Sequence, residues 1–349
     1  MFFIYLHEQG YKTIRKLTAK ALTSNRQGYE PVVSVGQALL SWFKIPSLYR
    51  NYSQYLSDLN INTRLFSLNY ASPITFAAFE GHLDSLQYWL NLGCGGGCLK
   101  TIKVLPETGN PKPRLQQLTI NQEEHLLNAL GLPGPGVDGL LEQLNHHAII
   151  KTAAPIGVSL GGHCMADYKA VFDRVHQEES VLFDQMYYEI NISCPNTSTG
   201  RSLHDQISDI EALLMYMRQK TSKVIVIKVS PDAQDDNLCD IASIAQGFTE
   251  VTLNAGNTQF KQCEDLGLPK SAISIGGGGF SGPQLFKRTL AMAKLLSQFK
   301  LPLIATGGVS TIHDIQALQE HNVVVVGMAT QLVKNPYQII RLNQQLASR

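Results

Sequence analysis

The run "EINISCPNTSTG" (189–200) ends a β-rich stretch and breaks into a polar loop that gathers Asn191, Ser193, Cys194 and Asn196 around Pro195. A thiol works as a base or nucleophile only as its thiolate, so a cysteine at an open strand tip becomes a candidate where its surroundings lower its pKa. Other chemistry-bearing residues stand at the ends of similar runs. Lys228 interrupts "VIVIKVSPD", Asn254 closes "EVTLN", Lys100 and Thr101 lie in "GGCLKTI", and Ser159 lies in "PIGVSL". A lysine inside a continuous apolar run is costly unless it meets an anion or an acceptor. Taken alone, Lys228 reads as a salt bridge or a snorkelling side chain. Asparagines on neighbouring tips shift the balance towards a ligand site. Asparagine donates and accepts without charge, so several converging ones suit a planar ligand with amide-like edges, such as a pyrimidine.

These residues need a scaffold that brings many strand ends together. Short β-rich runs occur at 74–78, 96–102, 155–160, 187–193, 224–229, 250–254, 302–306 and 323–328, with helical patterns between most of them. Apolar strands alternating with helices indicate parallel pairing, and this many units in roughly 280 residues suit a (β/α)8 TIM barrel better than a doubly wound sheet. Longer inserts at roughly 103–145 and 255–282 fall where they would cover the barrel mouth. After the last two strands come "TGGVST" (306–311) and "GMATQ" (327–331), glycine-bearing loops in the positions where such barrels hold phosphate. Lys228 could then neutralise electron density on a flavin ring whose phosphate the two loops hold.

The remaining 60-odd residues, all before the barrel, form a small helical extension, so the chain divides into an extension at 1–60 and a barrel at 61–349. "MFFIYLHEQGYKTIRKLTAKAL" mixes bulky apolar residues with Lys12, Arg15, Lys16 and Lys20, and 35–56 adds Trp42, Phe43, Tyr49 and Tyr52. Such helices either cap the main domain or lie in a membrane interface, and both can hold. No segment reaches the roughly 18 uninterrupted apolar residues of a spanning helix. A net charge of +1 gives no general electrostatic reason to bind nucleic acid. The six cysteines are scattered in no disulfide framework, and "CGGGC" (94–98) lacks a second ligand pair, so no metal site is expected.

Taken together, "NISCPN", "IKVSPD", "FSGPQL", "ATGGV" and "VGMATQLVKNP", preceded by "ETGNPKPRL" and "LNALGLPGPGVD", resemble the dihydroorotate dehydrogenase family over roughly 65–340, with motifs in the same order. The resemblance implies an FMN-holding (β/α)8 barrel that oxidises dihydroorotate to orotate in pyrimidine biosynthesis. It makes Cys194 the general base at C5 of dihydroorotate while a hydride leaves C6 for the flavin. It assigns the pyrimidine to Asn128, Asn191, Asn196 and Asn254, and the flavin to Lys228, Thr101, Ser159, Ala77 and Ala78, with Asn191 touching both. Gly282, Gly308, Met328 and Ala329 fall to the phosphate side.

The motifs are a mosaic of the family's branches. Cys194 and the pair Lys100–Thr101 look like the soluble branch, whereas the extension and "GNPKPRL" look like the membrane-bound, quinone-using one. "FAAFEGHLD" (76–84) replaces that branch's lysine-bearing loop, and Lys100 supplies the missing positive charge near the substrate. Quinone is the favoured acceptor, reached through residues 1–60 in a cytoplasmic enzyme bound peripherally to a bacterial-type inner membrane. Fumarate, a different pyrimidine or enone substrate, and a non-catalytic flavin-binding barrel stand as alternatives.

Overall fold

The computed structural model describes residues 2–23, 28–42, 59–192 and 207–348. Helices α1 (Phe2–Leu22) and α2 (Glu30–Trp42) precede a short antiparallel hairpin of β1 (Thr63–Leu65) and β2 (Leu68–Tyr70). The barrel begins with β3 (Ile74–Phe76) and β4 (Gly97–Ile102). The first insertion then supplies β5 (Leu115–Ile120) and β6 (Glu123–Asn128). The barrel resumes with β7 (Ile156–Leu160), β8 (Met186–Asn191), β9 (Ile225–Val229) and β10 (Val251–Ala255). A second insertion supplies β11 (Gln259–Gln262) and β12 (Gly277–Ser281) before β13 (Leu303–Thr306) and β14 (Val323–Met328) complete the chain of strands.

The eight runs read from the sequence are the eight barrel staves. They close in the order β10-β13-β14-β3-β4-β7-β8-β9, every neighbouring pair parallel. The apolar runs follow from this closure, since each stave is covered by helices outside and by its fellows inside. On β8, for example, Tyr188 and Ile190 pack against the helix layer, while Tyr187 joins Cys98, Val226 and Ile304 inside the barrel. The hairpin contributes Leu65, Leu68 and Tyr70 to that interior cluster and so closes the end of the barrel away from the loops.

The two insertions meet over the other end. β5, β6, β11 and β12 form one antiparallel sheet in the order β11-β12-β6-β5, with its own core of Leu118, Leu127, Cys263, Ile273 and Phe280. The inserts therefore do cover the mouth, as a four-stranded sheet whose polar and glycine-rich strands carry no apolar run.

The described part of the N-terminal extension docks on the barrel. Glu8 of α1 is 1% exposed and accepts from Asn335 Nδ2 at 2.8 Å, Lys12 Nζ lies 2.6 Å from it, and Arg341 also bonds it. Farther along, Arg15 pairs with Glu124 of β6 at 2.8 Å. Glu30 of α2 pairs with Arg114 at 2.9 Å, and Gln37 donates to Glu80 at 2.7 Å. Tyr5, Leu6 and Leu17 of α1 are exposed. None of the described helices is long and apolar enough to cross a membrane. Phe43, Tyr49 and Tyr52, part of the proposed interfacial stretch, lie outside the described residues.

Candidate active site

Strand register does most of the positioning. Asn191 of β8 is the partner of Lys228 on β9, and Lys228 is the partner of Asn254 on β10. Because side chains alternate along a strand, register partners point to the same face of the sheet, and these three turn inward near the mouth. All three are buried. Thr101 and Ser159, on β4 and β7, join them: Asn191 Nδ2 donates to Thr101 Oγ1 at 2.9 Å, and Thr101 Oγ1 lies 2.9 Å from Ser159 Oγ.

One member of the cluster was missed by the sequence reading. Glu189, 1% exposed, sits one inward position below Asn191 on β8. Its Oε1 accepts from Ser159 Oγ at 3.1 Å and lies 3.8 Å from Lys228 Nζ, and its Oε2 accepts from Asn254 Nδ2 at 2.9 Å. The signal was available. Glu189 interrupts the apolar run "YYEINI" as Lys228 interrupts "VIVIKV", and two opposite charges in neighbouring buried strands are mutually explained.

Lys228 lines a cleft of about 640 Å³ together with Ala77, Ala78, Gly282, Gly308, Met328 and Ala329. Seven of the residues assigned to flavin or its phosphate by resemblance thus converge on one hollow, while Thr101, Ser159 and Asn191 are not among its lining residues. Its floor uses glycines where no other residue fits: Gly308 has φ +74°, and a Cβ there would lie 2.2 Å from the backbone nitrogen of Phe286. That contact lets the Gly307–Gly308 turn abut the start of the helix Phe286–Leu296. Thr306 Oγ1, in the cleft wall, and Asn254 Oδ1 are buried with no hydrogen-bond partner among the described residues. Buried polar atoms of this kind are costly until a ligand or water satisfies them. An ammonium group and an unsatisfied hydroxyl in the wall of the cleft fit a flavin, which offers both anionic and N–H edges.

Other expected residues are placed nearby but differently. Asn128 ends β6 in the covering sheet and donates to the Gly279 carbonyl at 3.2 Å. Lys100 lines a second hollow of about 800 Å³ with Glu80, Thr101 and Pro133. Burial lowers the Lys100 pKa, and the Glu80 carboxylate opposes that shift. Cys194 and Asn196 lie outside the described residues. Cys98, within the barrel, is no substitute: burial drives its thiol well above the usual range, with Glu189 adding to the shift.

A third hollow, of about 1050 Å³, lies between the extension and the barrel. Its walls are largely apolar, with Tyr11, Ile14, Val33, Trp89, Leu332 and Tyr337 among them, and Leu6, 47% exposed, stands at its edge. Arg15 lines this hollow and Glu124 lines the flavin-like cleft, so the Arg15–Glu124 pair at 2.8 Å joins the two walls.

Comparison with known proteins accords with this arrangement. Residues 60–349 match the family model described as dihydroorotate dehydrogenase. A "dihydroorotate dehydrogenase (quinone)" of Mycobacterium tuberculosis H37Rv is 30% identical over 269 residues, covering 74% of this chain and 71% of the relative. One of Synechococcus sp. JA-3-3Ab is 30% identical over 312 residues, covering 83% and 79%. Among solved structures, DHODH from Eimeria tenella in complex with ferulenol superposes with a TM-score of 0.70 at 21% identity, covering 83% of this chain and 84% of that one. The ligand-free form from the same organism gives 0.69 at 20% identity, covering 86% and 94%. Both share the fold.

Proposed function

The chain belongs to the dihydroorotate dehydrogenase family, and we propose on that premise that it oxidises dihydroorotate to orotate with bound FMN and hands the electrons to a quinone. The observation that carries this reading is the register that sets Asn191, Lys228 and Asn254 side by side on three adjacent staves, with Lys228 lining a glycine-bearing cleft.

Lys228, Ala77, Ala78, Gly282, Gly308, Met328 and Ala329 would hold FMN, with Thr101 and Ser159 at its edge. When bound, FMN supplies a two-electron acceptor for the hydride of the substrate. The chain supplies the rest. Asn191 and Asn254, with Asn128 and Asn196, orient the pyrimidine through uncharged hydrogen bonds, and Lys100 offsets negative charge on the substrate side. Cys194 removes the weakly acidic C5 proton, a task that needs a base held in a defined direction. Lys228 stabilises the electron density that accumulates in the cleft, and the β5–β6–β11–β12 sheet covers the mouth against water.

The apolar hollow under α1 and α2 supports quinone as acceptor. Its walls are largely apolar, exposed Leu6 of α1 stands at its edge, and it meets the cleft at the Arg15–Glu124 pair. A quinone dissolved in a bilayer could reach it if α1 lay on the membrane surface in peripheral contact. Cys194 and Lys100, in contrast, have the character of relatives with soluble acceptors. Steady-state assays of the full chain in detergent, with dihydroorotate and either a short-chain ubiquinone or fumarate, decide between them. Turnover with the quinone at least tenfold faster than with fumarate is expected; the reverse ratio overturns the acceptor assignment.

A further inference from the structure

Glu189 terminates a hydrogen-bond network that links the staves β4, β7, β8 and β10, and an ion pair with Lys228 adds β9. A carboxylate accepts and does not donate. Ser159 therefore gives its only proton to Glu189 Oε1, at 3.1 Å. With that proton spent, the 2.9 Å contact between Thr101 and Ser159 must run from the Thr101 hydroxyl to Ser159 Oγ. Thr101 Oγ1 in turn accepts from Asn191 Nδ2, at 2.9 Å. The direction of every bond follows from one carboxylate.

The same logic fixes Asn254. Its two amide faces are nearly isosteric, so only the partner decides which one points where. Glu189 Oε2, 2.9 Å away, takes the N–H side and leaves Oδ1 buried without a partner among the described residues. The carboxylate also stands 3.8 Å from Lys228, whose ammonium reaches the cleft.

We propose that Glu189 is the positioning residue that sets the polarity of the strand-tip site, fixing Asn254 as an acceptor and holding the Lys228 ammonium at the cleft. The site then selects a ring that presents an N–H to Asn254, which dihydroorotate and orotate both do. Glu189 touches neither reactant and acts through Asn254, Ser159 and Lys228. The inference rests on the reading of this cleft as the FMN and dihydroorotate site.

The test is Glu189→Gln in the full-length holoenzyme, with two readouts: orotate affinity, from the spectral perturbation of bound oxidised flavin, and the flavin midpoint potential. A glutamine can donate as well as accept, so Asn254 loses its fixed orientation and Lys228 loses its counter-charge. Orotate binding at least tenfold weaker and a more positive potential are expected, with Glu189→Asp recovering part of both. A Glu189→Gln protein with orotate affinity within twofold of wild type and an unchanged potential overturns the proposal. So does a Glu189→Asp protein that falls as far as Glu189→Gln, since that makes the role one of packing. If Glu189→Gln does not fold, Glu189→Asp carries the test: orotate affinity threefold to tenfold weaker with flavin retained supports it, and unaltered affinity or a loss beyond tenfold overturns it. Wild-type protein that holds FMN but binds no orotate overturns the functional reading, and this inference with it.

Discussion

Lys228 and Glu189 illustrate how little of a buried charge can be understood from one residue. At 5% and 1% exposure, neither side chain is tolerable alone, and each is the other's reason for being buried. Lys228→Met should remove a cation and strand a carboxylate, destabilising the fold by about 3–5 kcal/mol in urea denaturation and weakening FMN binding at least tenfold. Unchanged flavin affinity in a folded variant would take Lys228 out of the cofactor site. Cys194 belongs to the same scale. Replacing it with alanine should leave FMN bound while slowing anaerobic flavin reduction by about 10²–10⁴-fold. Reduction at the wild-type rate would assign the base elsewhere. Both residues were legible as interruptions of their surroundings. Glu189 is equally visible, as the acidic interruption of "YYEINI".

At the scale of elements, the staves were readable because each is buried on both faces and so carries an apolar run. The covering sheet was not. β5 and β6 read "LQQLTI" and "EEHLLN", polar on one face, and β12 is glycine-rich, so only its pairing with β6 and β11 makes it a strand. The seat of α1 was equally hidden, since Glu8 meets Asn335 and Arg341 from the opposite end of the sequence. Glu8→Ala should cost about 1.5–3 kcal/mol, the range for hydrogen bonds to a charged group. The cost stays below that of a stranded buried charge because Lys12 and Arg341 remain half-exposed. If the hollow under α1 is the quinone site, the same variant raises the KM for quinone while flavin reduction by dihydroorotate keeps its rate. An unaltered KM in a variant with loosened α1 would move the quinone site away from the extension.

At the scale of the whole molecule, His125 is the group expected to couple the covering sheet to pH. This β6 residue is fully buried and stacks on Phe280 at 5.0 Å between centroids. Burial lowers its pKa below the ordinary 6.5, against the opposing pull of Glu123 and of the Ser281 backbone. A lowered histidine pKa means that the unfolded chain takes up the proton first. Its contribution is therefore neutral above 6.5 and becomes progressively destabilising as the pH falls below that value towards the folded pKa. His125→Leu should flatten the fall in melting temperature between pH 7.5 and pH 5 relative to wild type. Identical slopes would show that other groups govern acid unfolding. Barrel closure and the placement of most cleft residues follow from local sequence, whereas this coupling arises only where two distant insertions pair.

The central claim is that these staves assemble one flavin site competent to oxidise dihydroorotate, and anaerobic titration of the purified, FMN-loaded protein with dihydroorotate tests it most directly. The account predicts bleaching of the oxidised flavin absorbance, complete within a few equivalents, with orotate formed in step. A flavin that stays fully oxidised under excess dihydroorotate would contradict it.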